Sequence, residues 1–127
     1  MSGTLEQCNT ILVVEDDEEI LSTLRELLEG EGYPVVPAKN GREAIEILEK
    51  MLHPCLILLD LFMPIMDGWQ FLDQLNRDES KLLTHIPVVI TSAAGDRARE
   101  TAIRVSGYIK KPIDLELLLI TVQKYCG

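Results

Sequence analysis

Residues 55–68 read CLILLDLFMPIMDG. From Cys55 to Leu59 every side chain is apolar, and the run stops on an acid, Asp60. A short apolar run without polar alternation suits a strand buried on both faces, as in a parallel sheet. Pro64 and the Asp67-Gly68 pair then mark a loop. Beyond it Trp69, Phe71, Leu72 and Leu75 recur as the apolar stripe of a helix.

The same unit repeats outward in both directions. Upstream, Ile11–Val14 is an apolar run rich in branched residues, stopped by Glu15, Asp16 and Asp17. From about Asp17 to Gly30, Ile20, Leu21, Leu24, Leu27 and Leu28 keep helical spacing, and Gly30 and Gly32 supply the stop. Val35-Val36 predicts a short second strand, weakened at its ends by Pro34 and Pro37. Asn40-Gly41 opens a helix with Ala44, Ile45, Ile47 and Leu48 in its stripe. Downstream, Asn76 to His85 is a polar linker, Pro87–Ile90 a fourth strand, and Asp96–Val105 a short, charged helix. Tyr108-Ile109 is a fifth strand stopped by Lys111-Pro112, and Asp114 caps a last helix through Tyr125. Five strands alternating with five helices predict an α/β fold, a doubly wound five-stranded parallel sheet with helices on both faces.

Composition narrows the function. The chain has 127 residues, the size of one domain, 46% hydrophobic and 26% charged. A formal net charge of −9 argues against nucleic-acid binding, which needs a basic face. The start, MSGTLEQCNT, lacks a basic stretch followed by an apolar one, so no signal peptide is expected. No apolar run approaches the roughly 20 residues of a membrane span. Three cysteines, Cys8, Cys55 and Cys126, are odd in number and widely spaced. That pattern predicts neither a disulfide framework nor a zinc site, with Cys55 a small buried hydrophobe in a reducing, cytoplasmic setting.

In parallel sheets functional groups gather at the carboxyl ends of the strands. That rule selects Glu15, Asp16 and Asp17, Asp60, Thr91 and Ser92, and Lys111. Carboxylates brought together repel unless a positive charge lies between them. A hard cation such as Mg²⁺ supplies that charge with oxygen ligands and retained water. A lysine opposite offers an ammonium to a phosphoryl oxygen, and a hydroxyl offers a hydrogen bond to another. Phosphoryl transfer needs chiefly positioning and charge stabilisation, which such a set supplies.

Over about Thr10 to Gln123 the chain resembles the response-regulator receiver domain, carried by ILVVEDD at 11–17, LILLDLFMPIMDG at 56–68, PVVITSA at 87–93 and GYIKKP at 107–112. The resemblance implies a flavodoxin-like fold and one receiver domain across 1–127, with its core about 10–123. It implies that Asp60 is the phosphoacceptor and that Mg²⁺, or Mn²⁺ in its place, is held by Glu15, Asp16, Asp60 and the main-chain carbonyl of Phe62. Asp16 would be a direct ligand and Glu15 would act through water. Asp17 would replace Asp16 if the loop register differs, and otherwise caps the first helix. Ser92 matches the switch hydroxyl, Lys111 the conserved-type lysine, Pro112 the proline after a commonly cis bond, and Tyr108 the aromatic whose rotamer reports activation. Tyr108 as a packed aromatic only is the plainer alternative. Thr91 is expected as a strand residue and Lys110 as solvent-facing. His53 and His85 are expected to be solvated, and Trp69, Met63 and Met66 to pack.

The implied function is a phosphorylation-dependent switch, not an enzyme beyond its own phosphorylation and dephosphorylation. Its donor would be a histidine kinase or a histidine phosphotransfer protein, and its output the binding of a downstream protein as a monomer or weak dimer. The chain would stand alone or form part of a longer regulator or hybrid kinase. The pattern is departed from between Ser92 and Tyr108, where the chain is about three residues short. A short or irregular fourth helix is therefore expected, which leaves a degenerate receiver serving as a constitutive scaffold as the alternative. A haloacid-dehalogenase-type enzyme would need a second acid two residues after Asp60, where Phe62 stands. Nucleotide-binding glycine motifs are absent from the sequence.

Overall fold

The computed structural model describes residues 9–50, 53–77, 85–93 and 105–127. Five parallel strands form one sheet in the order β2-β1-β3-β4-β5: β1 (Ile11–Val14), β2 (Val35–Ala38), β3 (Leu56–Asp60), β4 (Val88–Ser92) and β5 (Gly107–Lys110). The described helices are α1 (Glu18–Gly30), α2 (Gly41–Lys50), α3 (Gly68–Asn76) and α4 (Leu115–Cys126). All neighbouring strands pair in parallel, and the order places β2 and β3 on either side of β1.

Strand residues point alternately to the two faces, and every side chain of β1 and β3 is buried. Leu12, Val14, Ile57, Leu59, Val88 and Ile90 pack with Ala44 and Leu48 of α2 and Phe71, Leu72 and Leu75 of α3. Ile11, Val13, Leu56, Leu58, Val89 and Ile109 pack on the opposite face, with Leu24 and Leu28 of α1 and Leu118 and Val122 of α4. This two-sided burial explains why the central runs carry no polar alternation. Truncating Leu58, 1% exposed, to alanine should cost about 2–5 kcal/mol.

Helix ends follow local chemistry. The Asp17 carboxylate accepts from the amides of Glu19 and Ile20, so Asp17 caps α1 as expected. The Asp114 carboxylate does the same for Glu116 and Leu117 at α4. Asp67 and Gln70 form a reciprocal capping box at α3.

Two expectations are corrected. β2 does not end before Pro37 but runs through it to Ala38, with Pro37 opposite Val13. β2 is an edge strand, so the missing proline N–H breaks no second ladder. Cys55 is not a lone buried hydrophobe: it is half-buried and joined to Cys126 in a disulfide, with Cα atoms 5.4 Å apart. The sequence separation of 71 residues concealed a pairing made when α4 lies along the sheet. The helix expected over Asp96–Val105 falls on 96–104, outside the described residues, and Val105 itself is not helical. The linker expected from Asn76 to His85 has its 78–84 portion outside them, and Asn76 closes α3. No described helix is long and apolar enough to cross a membrane.

Candidate functional site

Diverging connections at β1 and β3 open a crevice at the carboxyl ends of the central strands. Glu15 follows β1 directly and is buried, held by a main-chain bond from its amide to the Ala38 carbonyl at 2.9 Å. Asp16 is exposed beside it. Asp60 closes β3 and is 5% exposed. Carboxylate oxygens of Glu15, Asp16 and Asp60 all lie within 4.8 Å of one another.

Lys111 follows β5, its amide donating to the Ser92 carbonyl at 2.7 Å. Its ammonium reaches across β4 to Glu15 Oε1 at 3.1 Å and Asp60 Oδ1 at 3.4 Å. Glu15 Oε2 also accepts from the Asp17 amide at 3.1 Å. Lys110 is exposed, as expected, and the Lys111-Pro112 bond is cis.

One cation does not neutralise this edge. Burial first, then the charge of Asp60, pushes the Glu15 carboxyl above its ordinary 4.5, against the bonds from Asp17 and Lys111. Burial likewise raises Asp60 above 3.8, although Lys111 and the Phe62 amide pull it down. Burial opposes the charged form of Lys111, but its bonds and charge contacts with Glu15 and Asp60 outweigh this and raise it above 10.5. The carboxylates are thus short of positive charge. An all-oxygen donor set with one exposed member suits a hard divalent cation that keeps part of its water shell.

Ser92 and Thr91 end β4 and are buried. The Ser92 hydroxyl donates to the Tyr108 hydroxyl at 2.9 Å, which in turn donates to the Ala93 carbonyl at 2.8 Å. Tyr108 is therefore more than a packed aromatic, since its phenol is bonded to the Ser92 hydroxyl.

The β3–α3 loop is clamped by contacts that sequence reasoning missed. A Cβ on Gly68 would stand 2.7 Å from the Asp60 carbonyl oxygen and 2.7 Å from the Leu61 Cα. One on Gly41 would meet Met66 Cγ at 2.8 Å, and the Gly41 amide donates to the Met66 carbonyl at 2.8 Å. The Asp67-Gly68 pair signalled a loop, but not that its glycine lets α3 press against the end of β3. Ile65, 75% exposed, has φ +69°, a left-handed conformation costly for a β-branched residue. Phe62, 54% exposed, packs edge-to-face on Trp69 with ring centroids 5.1 Å apart. Trp69, Met63 and Met66 pack against the core, and His53 and His85 are exposed, all as expected.

Fold and acidic edge together define a class: doubly wound α/β domains with a carboxylate cluster at the switch point of the sheet. The chain matches the family described as the response regulator receiver domain over residues 11–123 and belongs to it. It is similar to the polar-differentiation response regulator DivK of Brucella ovis, 34% identical over 93% of this chain and 96% of the relative. The Brucella anthropi DivK is 33% identical over the same shares. Among solved structures it resembles the signal receiver domain of a signal transduction histidine kinase from Syntrophus aciditrophicus, with TM-score 0.83 and 31% identity, over 92% of this chain and 89% of that one. The receiver domain of sensor histidine kinase PA1611 from Pseudomonas aeruginosa PAO1, described with a magnesium ion coordinated in its active site cleft, has TM-score 0.82 and 25% identity over 93% and 97%.

Proposed function

We propose that this chain is a phosphorylation-dependent signalling switch, a single receiver domain over 1–127, in which Asp60 accepts a phosphoryl group. The observation that carries the reading is the Lys111 ammonium set between Asp60 and Glu15, beside an acidic cluster still short of positive charge. An Asp60 oxygen attacks the phosphorus of a phosphohistidine on a kinase or phosphotransfer protein. An acyl phosphate forms, the P–N bond breaks, and the imidazole leaves with a proton. Glu15, Asp16, Asp60 and the main-chain carbonyl of Phe62 would hold Mg²⁺, or Mn²⁺ in its place. When bound, that ion offsets charge on the transferring group. Lys111 then shifts part of its pairing to a phosphoryl oxygen, and Ser92 turns its donor from Tyr108 to another.

Loss of the Ser92 bond frees Tyr108 to change rotamer, which alters the surface beside β5 and shifts a pre-existing equilibrium. The domain acts on its own phosphoryl group rather than on a separate substrate. With a histidine kinase or phosphotransfer protein as donor, the setting that goes with this reading is the cytoplasm.

The test is incubation with acetyl phosphate and Mg²⁺ followed by intact mass measurement. Wild type gains one acid-labile phosphoryl group and Asp60→Asn gains none. Equal labelling of the variant at the same site would overturn the assignment.

A further inference from the structure

At the edge of the sheet opposite the acidic cluster, we infer that Cys55 and Cys126 form a reversible thiol–disulfide site that clamps the C-terminal helix to the central strand. The inference does not rest on the phosphoacceptor reading. Cys55 precedes β3, and Cys126 is the last residue of α4. Their Cα atoms, 5.4 Å apart, fall inside the range a disulfide needs without backbone movement. Both residues are half-buried rather than sealed in the core.

Both redox forms fit the same backbone. Cys55 Sγ lies 3.3 Å from the Thr10 carbonyl oxygen. In the disulfide that sulfur has no proton, so the approach is a contact only. On reduction the thiol gains a proton and finds an acceptor already in place. The amide of Cys55 donates to the same carbonyl at 2.9 Å, which holds the residue in position in either form.

The clamp acts on the last turn of α4. Leu118 and Val122 anchor the middle of the helix in the core. Beyond Val122 the non-covalent holds include a 3.2 Å bond from the Tyr125 hydroxyl to the Ser106 carbonyl. The crosslink spans 71 residues, so it also restricts the unfolded chain over β3, β4 and β5 together. The co-reactant is a glutathione-type disulfide. One cysteine thiolate attacks it, releasing a thiol and leaving a mixed disulfide. The second cysteine thiolate displaces the remaining thiol. Two electrons and two protons pass from the cysteine pair to the co-reactant.

The test uses the full chain carrying Cys8→Ser, so that only the two proposed partners remain. After glutathione disulfide no thiol should be alkylated, and after dithiothreitol two should be. The oxidised form should melt about 10 °C above the reduced one, with slower amide exchange at 124–126. Cys126→Ser in the same background should melt identically under both treatments. Two alkylatable thiols persisting after glutathione disulfide would overturn the inference, as would equal melting of the two forms. Reduction of the folded protein supplies the same comparison should Cys126→Ser not fold.

Discussion

Cys55 and Asp60 stand at opposite ends of one stretch of chain, about 17 Å apart at strand rise, and the two edges of the sheet are held in different ways. At the amino edge the contacts are attractive: a crosslink from Cys55 to Cys126 and a bond from the Tyr125 hydroxyl to Ser106. At the carboxyl edge three carboxylates crowd together, and one lysine pairs with the two that are buried. Charges kept close against their own repulsion and desolvation destabilise a fold, so an edge built this way points to ligand chemistry rather than stability. Between the edges, β3 lies in apolar side chains on both faces, a rigid spacer for the acid it ends in.

Glycine replacement should break the comparison most sharply. At the carboxyl edge, Gly68→Ala sets a Cβ against main-chain atoms of Asp60 and Leu61 that have no room to yield. It should destabilise the domain by about 3 kcal/mol in urea melts, the upper end of typical overpacking costs. Gly30 ends α1, and nothing lies within 4 Å of its added Cβ. Gly30→Ala should be neutral or stabilising by up to about 1 kcal/mol. Equal effects at the two positions would show that the β3–α3 loop is not closely packed.

Neutralising the acidic edge comes next. Without metal, Asp60→Ala should raise stability by about 1 kcal/mol at neutral pH. The pH dependence has a definite sign. Glu15 and Asp60 titrate above 4.5 and 3.8 in the fold, so the folded chain holds their protons more tightly than the unfolded one. Their contribution is complete below those ordinary values and is lost as pH rises through the raised ones. Metal-free stability should therefore fall over that interval, and less steeply in Asp60→Ala. Added Mg²⁺ should restore stability to wild type and much less to Asp16→Ala. A metal-free Asp60→Ala less stable than wild type at neutral pH would contradict the crowded edge.

The smallest effect concerns lifetime. Phe62 stands two residues after Asp60 with its ring against Trp69. Its bulk should hinder water from reaching an Asp60 acyl phosphate, and it has no group to orient that water. The receiver resemblance implies that the residues two after Asp60 and two after Ser92, Phe62 and Ala94, flank the approach of that water, and Ala94 lies outside the described residues. Phe62→Asn should speed loss of the phosphoryl group several-fold, about 1 kcal/mol in barrier. The measurement is the decay of phosphorylated protein after the donor is removed. Rapid wild-type decay unchanged by Phe62→Asn would remove this role and leave the acceptor assignment intact.

Much was legible in the sequence because its signals are local. Apolar runs without alternation announced strands buried on both faces, and β1, β3 and β4 follow that pattern. Asp17 and Asp114 stood where caps belong, because a cap bonds amides two or three residues away. The strand-end rule selected Glu15, Asp16, Asp17, Asp60, Thr91, Ser92 and Lys111 from residue order, the receiver resemblance narrowed the set, and the fold brings Glu15, Asp16, Asp60 and Lys111 together at one edge. Contacts between distant segments were decided only by tertiary structure. Cys55 meets Cys126 because α4 runs back along the sheet. Pro37 is tolerated in β2 because that strand lies at the edge. Ser92 bonds Tyr108 because β4 and β5 pair in a register placing Tyr108 beside Ile90. The raised carboxyls of Glu15 and Asp60 likewise need the fold, since burial and proximity between separate strands are properties of packing and not of composition.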